Sequence, residues 1–426
     1  MSFDIICLGL TALAIPFCLQ RFFVRNQITA VLNPNFYFVG LCYFYLIWGS
    51  LYAPIELGVK HTYAPAVIQH VNYLCCYVIW SFTLLLYCSK RYQLQVIPKF
   101  HPAQPTIIIA SILILLIETI TFYLLWAHHN QLLEIIHDRG LALIYFQQNI
   151  NEPYRYFTLA ILLQVSVTIL VLKTRRLRYL AILLPIILLE GLSNGRMITL
   201  GCFIVMFLNY YLLKRKIPVI TVCIGLVVLI AAGVIRTFVH TGAIGTLGYI
   251  GEFTMSRYMD NIIFAEYLDA GSLWGYIRSS FAIVIPSFVR TMLHINLLPL
   301  YGSEINDMTN DTAWLAGNIV GEMLYYGGMW LTLLIPWLLG GFFLLIQRIG
   351  IVRYFVGLIF MMFLITQMFY MIRIEVLPAL VNSIYLFVVY LCWVYGFEMN
   401  KRIFYVKCDP IVYPDNGGAN KGGTLP

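Results

Sequence analysis

Three polar side chains near position 320 have the spacing of one helix face and the chemistry to bind a sugar. Asn318, Glu322 and Tyr326 are four residues apart, so a helix would place them on one side. An amide can bond to hydroxyls, and an aromatic ring can pack against a sugar ring. The carboxylate of Glu322 can act as a base that takes a proton from a sugar hydroxyl. The alternative is that Glu322 neutralises a nearby arginine, and the spacing leaves both interpretations open.

Arginines near the ends of apolar segments form a second group of candidate site residues. Arg196 lies in a short turn, Arg236 closes a segment, Arg290 follows a proline in a long connection, and Arg373 follows another segment. A charged side chain at this depth is costly unless it pairs or faces a wet cavity. A guanidinium binds phosphate through two parallel hydrogen bonds, which lysine cannot do. For any single arginine, the alternative is a side chain that extends to the membrane surface.

Sequence motifs for metals and nucleotides are weak. His128, His129, Glu134 and His137 are close in sequence, but their spacing matches no metal signature, and solvated loop histidines explain them as well. The cations are scattered beside apolar runs, whereas a nucleic-acid binder clusters them on one face. We therefore expect no metal, no other cofactor and no nucleic-acid partner.

The composition determines the class of protein that positions these residues. Of the 426 residues, 61% are hydrophobic and only 11% are charged. A soluble domain has roughly a quarter charged residues, so an ordinary soluble enzyme is excluded. We predict an all-α polytopic membrane protein with about 11 transmembrane helices, each of roughly 20 apolar residues. The predicted spans are 4–22, 35–55, 67–89, 105–127, 156–172, 178–192, 197–213, 217–237, 328–347, 353–372 and 377–396. The ninth could instead be a short helix followed by a span.

The distribution of lysines and arginines predicts the orientation of these spans. With alternate connections assigned to the cytoplasm, 18 of the 27 cations fall on the cytoplasmic side. The N-terminus is therefore expected outside and the C-terminus inside. Eight of the nine external cations are arginines, a bias that favours a polyanionic ligand at the outer surface.

Two long connections fall on the predicted external side, and long connections usually carry function. We expect a single transmembrane domain over 1–408, with external connections at about 128–155 and 238–327, and a disordered cytoplasmic tail at 409–426. The larger connection contains helical periodicity from Glu252 to Asp269, which predicts an amphipathic helix lying at the membrane interface.

Four features in this order resemble the Wzy-type polymerases of O-antigen and related oligosaccharide repeat units. They are the turn Ser193-Asn194-Gly195-Arg196, the segment 285–290 ending in Arg290, the glycine-rich stretch 317–328 around Glu322, and Arg373 after the tenth predicted span. Together with the number of spans, the resemblance covers most of the chain.

This resemblance implies a GT-C-like glycosyltransferase of the bacterial inner membrane that acts on the periplasmic side. Such an enzyme moves a growing glycan from undecaprenyl pyrophosphate to a newly flipped lipid-linked repeat unit, without a nucleotide sugar. Arg196, Arg373 and Glu322 match motif positions of the family and are assigned to catalysis. The remaining predicted residues bind the pyrophosphate or glycan, and those not at motif positions are included because of their side of the membrane or their helix face. They are Arg236, Arg257, Arg278, Arg290, Asn318 and Tyr326.

Two other functions are compatible with the same features. An O-antigen ligase shares the architecture but gives the glycan to lipid A core, and a flippase or transporter would line a central path with charge. In each case the expected partners are undecaprenyl-pyrophosphate-linked oligosaccharides and membrane lipids. For the polymerase, a flippase and a chain-length regulator are further expected partners.

Replacing Arg196 or Arg373 by lysine tests the predicted use of guanidinium forks. Each variant keeps the charge but loses the bidentate geometry, so we expect the surface polysaccharide to become shorter. The measurement is the length distribution of polysaccharide on a gel. Normal length distributions in both variants would contradict binding of pyrophosphate by these two arginines.

Overall fold

The computed structural model of this chain describes eleven stretches. They are residues 3–26, 30–48, 63–89, 104–136, 139–193, 197–214, 247–285, 287–295, 318–350, 355–373 and 375–397. Within these stretches the chain is helical and contains no strand. The predicted span 217–237, the parts 238–246, 286 and 296–317 of the long connection after it, and the tail 409–426 lie outside the described residues.

The α-helices follow the apolar segments of the sequence closely. In chain order they are α1 (Phe3–Arg25), α2 (Pro34–Cys42), α3 (Pro65–Cys88), α4 (Gln104–Ile135), α5 (Arg139–Phe146), α6 (Tyr156–Thr174), α7 (Leu184–Leu192), α8 (Met197–Lys214), α9 (Leu247–Glu266), α10 (Leu273–Ala282), α11 (Ser287–Met292), α12 (Ile319–Gly350), α13 (Phe355–Arg373) and α14 (Val376–Phe397). Between α5 and α6, a π-helix (Gln147–Asn151) and one short helical turn (Glu152–Tyr154) complete the connection.

Five helices among the described residues are long and apolar enough to cross a membrane. The qualifying stretches are Phe3–Arg25, Pro65–Cys88, Thr106–Ile135, Tyr156–Thr174 and Ile319–Gln347. Parts of α2, α8, α13 and α14 are apolar but shorter. The chain is therefore an all-α membrane protein, and the number of eleven spans stays a prediction.

The predicted span 178–192 is not a single α-helix. Leu177–Leu183 forms a 3₁₀-helix, and α7 begins only at Leu184, with Pro185 in its first turn. Proline has no N–H and its ring clashes with the preceding turn, so it is well suited to the first turn of an α-helix, where α7 has it. The sequence pattern gave the correct apolar segment but missed this change of helix type.

The long helix α12 is broken near its start, in agreement with the alternative of a short helix followed by a span. Gly327 has φ −156° and ψ 16°, and Gly328 takes the left-handed φ of 59°. The break frees carbonyl groups of the preceding turn, and the amides of Asp269 and Gly271 bond to the oxygens of Leu324 and Tyr325 at 2.9 and 2.8 Å. The connection after α9 is thereby attached to α12.

Helix α13 contributes to both large apolar cores of the described structure. Met361, Met362 and Phe363 pack in the core formed mainly by α4, α6, α7 and α8. Leu364 and Met368 pack in the second core, formed mainly by α1, α2, α3, α9 and α12. The middle of α13 is therefore packed between the two cores.

The two adjacent glycines of α12 provide a matched test of its packing against α3. A methyl group on Gly340 would lie 2.5 Å from Leu85 and 3.2 Å from Phe82, whereas one on Gly341 would have no atom within 4 Å. We expect Gly340→Ala to lower stability by about 1–3 kcal/mol, as overpacking does. Gly341→Ala is the control and should leave stability unchanged or slightly raised. Thermal denaturation of the detergent-solubilised protein measures both, and equal effects would contradict the close contact.

Candidate functional site

A polar cavity of about 150 Å³ lies where the N-terminal ends of α6, α8 and α14 meet the C-terminal half of α13. All four helix ends belong to the side of the membrane predicted to be external. Six residues provide most of the polar lining. They are Asn151, Arg155, Gln164, Gln367, Tyr370 and Asn382. Polar groups at this density inside an apolar helix bundle are costly and mark a candidate site.

Arg155 is placed at the cavity by an unusual turn. It takes the left-handed φ of 51°, and α6 begins at the next residue. For a residue other than glycine this conformation costs about 1–2 kcal/mol. The side-chain oxygen of Asn151 accepts a hydrogen bond from the amide of Phe157 at 3.0 Å and thereby closes the turn. The turn thus fixes the backbone of Arg155, and its exposed side chain lines the cavity.

Arg290, near the end of α11, lies within electrostatic reach of Arg155. Partial burial and the positive charge of Arg155 both lower the pKa of the Arg290 guanidinium. Its Nε atom is buried and has no hydrogen-bond partner among the described residues. Two neighbouring guanidinium groups repel each other, and a bound anion would remove that repulsion. The pair is therefore suited to hold a phosphate.

A buried carboxylate forms the cap of α8 at the cavity. Glu190 is only 1% exposed, and its two oxygens accept hydrogen bonds from the amides of Ile198 and Thr199 at 2.8 and 2.6 Å. The first amides of a helix have no partner within the helix and carry partial positive charge, so a carboxylate stabilises them. Glu190 is thereby part of the wall that holds Ile198, a lining residue, in place.

Glu322 caps the start of α14, as Glu190 caps the start of α8. Both of its oxygens accept from the amide of Val376 at 2.9 Å, and the Tyr276 hydroxyl also donates to it. The Tyr276 ring stacks on Tyr326 with centroids 4.2 Å apart and an angle of 12°. The predicted helix face therefore exists, but its carboxylate and ring are engaged with the protein. Glu322 is fully buried and does not line the cavity, so its assignment as a base stays a prediction.

Asn318 and Arg257 belong to a second buried network, at the start of α12. The side-chain oxygen of Asn318 accepts from the amide of Val320 at 2.8 Å, and its nitrogen donates to Asp260 at 2.9 Å. Arg257 forms an ion pair with Asp260 at 3.1 Å and donates to Asn72 at 2.7 Å. Burial raises the pKa of Asp260 to about 6, although the Arg257 charge acts in the opposite direction.

This network changes the picture of α9. The sequence predicted an amphipathic helix at the membrane interface, which would leave the polar face towards water. In the structure the polar side chains of this helix, Ser256, Arg257 and Asp260, are buried against the protein. Hydrophobic periodicity locates such a helix but cannot say whether its polar face meets water or a polar partner.

The remaining predicted arginines occupy different surroundings. Arg278 lies on α10 and is exposed. Arg373 is the last residue of α13, which places its backbone at the same end of the bundle as the cavity, although its side chain lies outside the described part of the structure. Arg196 and Arg236 lie outside the described residues. Of the six predicted arginines, Arg290 is the one whose guanidinium has a described neighbour of the same charge.

Sequence reasoning did not select the residues that line the cavity. Arg155 was counted among the external cations but was not chosen as a site residue, although its place directly before a span was a usable signal. Gln164 and Gln367 lie inside apolar spans, where an uncharged amide is also a signal. The sequence alone could not show that residues from α6, α13 and α14 face one another across this cavity.

Comparisons of this chain with protein-family models, with curated proteins and with solved structures find no match. The arrangement of the site is therefore the main basis for a functional proposal.

Substitutions of Arg257 and Arg278 test whether Arg257 has a structural role or a ligand-binding role. Arg257→Leu leaves Asp260 buried without its ion pair, so we expect stability to fall by about 3–5 kcal/mol. Arg278→Leu is the control, because exposed positions usually change stability by less than about 0.5 kcal/mol. Thermal unfolding of the purified protein measures both. Full stability of Arg257→Leu, together with loss of activity, would instead favour the predicted substrate-binding role of Arg257.

Proposed function

We propose that this protein is a membrane glycosyltransferase of the Wzy kind, which polymerises undecaprenyl-pyrophosphate-linked oligosaccharide repeat units. The observation that carries the proposal is the polar cavity with Arg155 at its lining and Arg290 beside it. The proposal includes a GT-C-like architecture and a bacterial inner membrane location, with the N-terminus in the periplasm and the C-terminus in the cytoplasm.

The charge of the site favours an anionic, lipid-linked substrate. The guanidinium groups of Arg155 and Arg290 are positively charged and can donate charge-assisted hydrogen bonds to a pyrophosphate. The surrounding helices are apolar on their outer faces, where Phe122, Trp126 and Leu184 are exposed. A substrate that combines a pyrophosphate with a long hydrocarbon chain could place its chain in the membrane and its head group in the cavity. A soluble nucleotide sugar has no such chain.

The reaction needs few groups from the protein. A hydroxyl of the acceptor sugar attacks the anomeric carbon of the donor glycan, and the bond from that carbon to the pyrophosphate oxygen breaks. The pyrophosphate leaves with the bonding electrons, and the hydroxyl proton passes to a base. Positively charged groups stabilise the growing charge on the leaving group, which is often the largest catalytic contribution. Orientation of the acceptor supplies much of the remainder.

The residues have different roles in this proposal. Arg155 and Arg290 bind the pyrophosphate, and Arg196, Arg236 and Arg373 remain further candidates for that role. Glu322 is retained as the candidate base, and its bonds to α14 would have to open for that purpose. Membrane lipids, a flippase that delivers the repeat units and a regulator of chain length are the proposed partners.

Neutral replacements of Arg155, in the cavity lining, and of Arg290 test this proposal. We expect Arg155→Gln and Arg290→Gln to reduce the amount of long-chain polysaccharide at least about tenfold, since each removes a charge-assisted interaction of about 1.5–3 kcal/mol. Arg176→Gln is the matched control, because Arg176 is exposed just beyond the C-terminal end of α6 and does not line the cavity, so it should have little effect. The measurement is a polysaccharide gel from a host strain that lacks its own copy, with protein amounts checked by immunoblot. Unchanged chain length in both the Arg155→Gln and the Arg290→Gln variant would contradict the proposal.

The same gel separates the polymerase from a ligase. Loss of a polymerase leaves lipopolysaccharide capped with a single repeat unit, whereas loss of a ligase leaves no capped lipopolysaccharide. Accumulation of uncapped core alone would therefore favour the ligase, and absence of flipped repeat units on the outer face would favour a flippase.

A further inference from the structure

Gln164, in the middle of α6, is a cavity residue with an unsatisfied acceptor. Its side chain is 2% exposed, and its nitrogen donates to the carbonyl oxygen of Ile198 at 3.2 Å and to the sulfur of Cys202 at 3.3 Å. Its oxygen, Oε1, is buried and has no hydrogen-bond partner among the described residues. A buried acceptor without a donor is unfavourable, so a ligand that supplies a donor would be stabilised here.

The orientation of this amide follows from its neighbours. The carbonyl of Ile198 accepts hydrogen bonds and cannot donate, so the nitrogen of Gln164 must be the atom that faces it. The oxygen is then left as the free acceptor. Gly201 of α8 makes room for the amide, because a methyl group there would lie 3.0 Å from both its nitrogen and its oxygen. The amide is therefore held in one place by α8.

A free acceptor selects the kind of ligand group that can bind. An ionised phosphate offers only acceptors, so it cannot satisfy Gln164. A sugar hydroxyl can donate. Gln367 and Asn382 add two more amides to the lining, and Tyr370 adds a phenol. An apolar cavity of about this volume binds benzene, so one side of a sugar ring with its hydroxyls, rather than a whole oligosaccharide, can enter.

We propose that the cavity is a sugar-binding subsite, in which Gln164 Oε1 accepts a hydrogen bond from a hydroxyl of the sugar next to the pyrophosphate. The inference rests on the proposed function, since Arg155 in the same cavity fixes where the pyrophosphate lies. It adds a residue that recognises the sugar and is separate from the arginines that bind the charge.

Binding to two lipids tests the subsite. The probes are the undecaprenyl-pyrophosphate-linked repeat unit extracted from the host and undecaprenyl pyrophosphate without sugar, and affinity is measured with the full chain in lipid nanodiscs. We expect Gln164→Leu to weaken binding of the glycosylated lipid about five- to tenfold, the effect of one lost hydrogen bond to a buried group. Binding of the bare lipid should change by less than about twofold, since phosphate does not contact this atom.

Two further variants keep the test specific. Gly201→Ala leaves Gln164 in the chain but pushes its amide out of place, so it should also weaken binding of the glycosylated lipid. Gln347→Leu is the matched control: Gln347 on α12 is also a buried glutamine with an unsatisfied amide, 1% exposed, and it does not line the cavity. Its replacement should leave both affinities unchanged.

The outcomes distinguish the inference from the proposed function. If the unmodified protein binds neither lipid, the proposed function fails. If it binds both lipids equally well, or if Gln164→Leu keeps the full preference for the glycosylated lipid, the sugar subsite is wrong and the proposed function stands. Equal weakening of both lipids by Gln164→Leu, with a lower unfolding temperature, would show that Gln164 only supports the fold.

Discussion

In an apolar helix bundle, the first amides of each helix need a partner, because neither lipid nor apolar side chains can accept their hydrogen bonds. Glu190 meets this need at α8, and Glu322 meets it at α14. Both helices contribute walls of the cavity. The position of the walls therefore depends on two buried carboxylates. Each carboxylate is in turn stabilised by the amides and partial positive charge of the helix end that it binds.

The break in α12 is subject to the same requirement, because buried backbone carbonyls also need hydrogen-bond partners. The bend at Gly327 and Gly328 releases carbonyl groups that must be bonded elsewhere, and the amides of Asp269 and Gly271 provide the bonds. The connection that carries α10 is thereby fixed, and with it Tyr276, which donates to the carboxylate at the start of α14. The break in α12 thus helps to position α14, which forms one wall of the cavity, through these hydrogen bonds.

Arginines have two distinct roles in this protein, and their surroundings decide which one applies. Arg257 is compensated by Asp260 and by the amide of Asn72, so its charge is used inside the fold. Arg155 lines a polar cavity and its positive charge acts on Arg290, so the charge of both is available to an anion. The proposed binding of pyrophosphate by Arg155 and Arg290 follows from this division. The proposed binding of a sugar hydroxyl by Gln164 is added by the uncharged part of the cavity.

The sequence by itself determined the membrane class and the positions of most helices, because apolar segments of span length leave few alternatives. It also predicted the face shared by Asn318, Glu322 and Tyr326, since residues four apart meet on any helix. Only the tertiary structure decided that Glu322 binds the start of α14, that Arg257 also binds Asn72, and that Gln164 lines one cavity with Gln367 and Asn382. Those facts depend on contacts between helices far apart in the chain, and local spacing carries no information about which helix faces which.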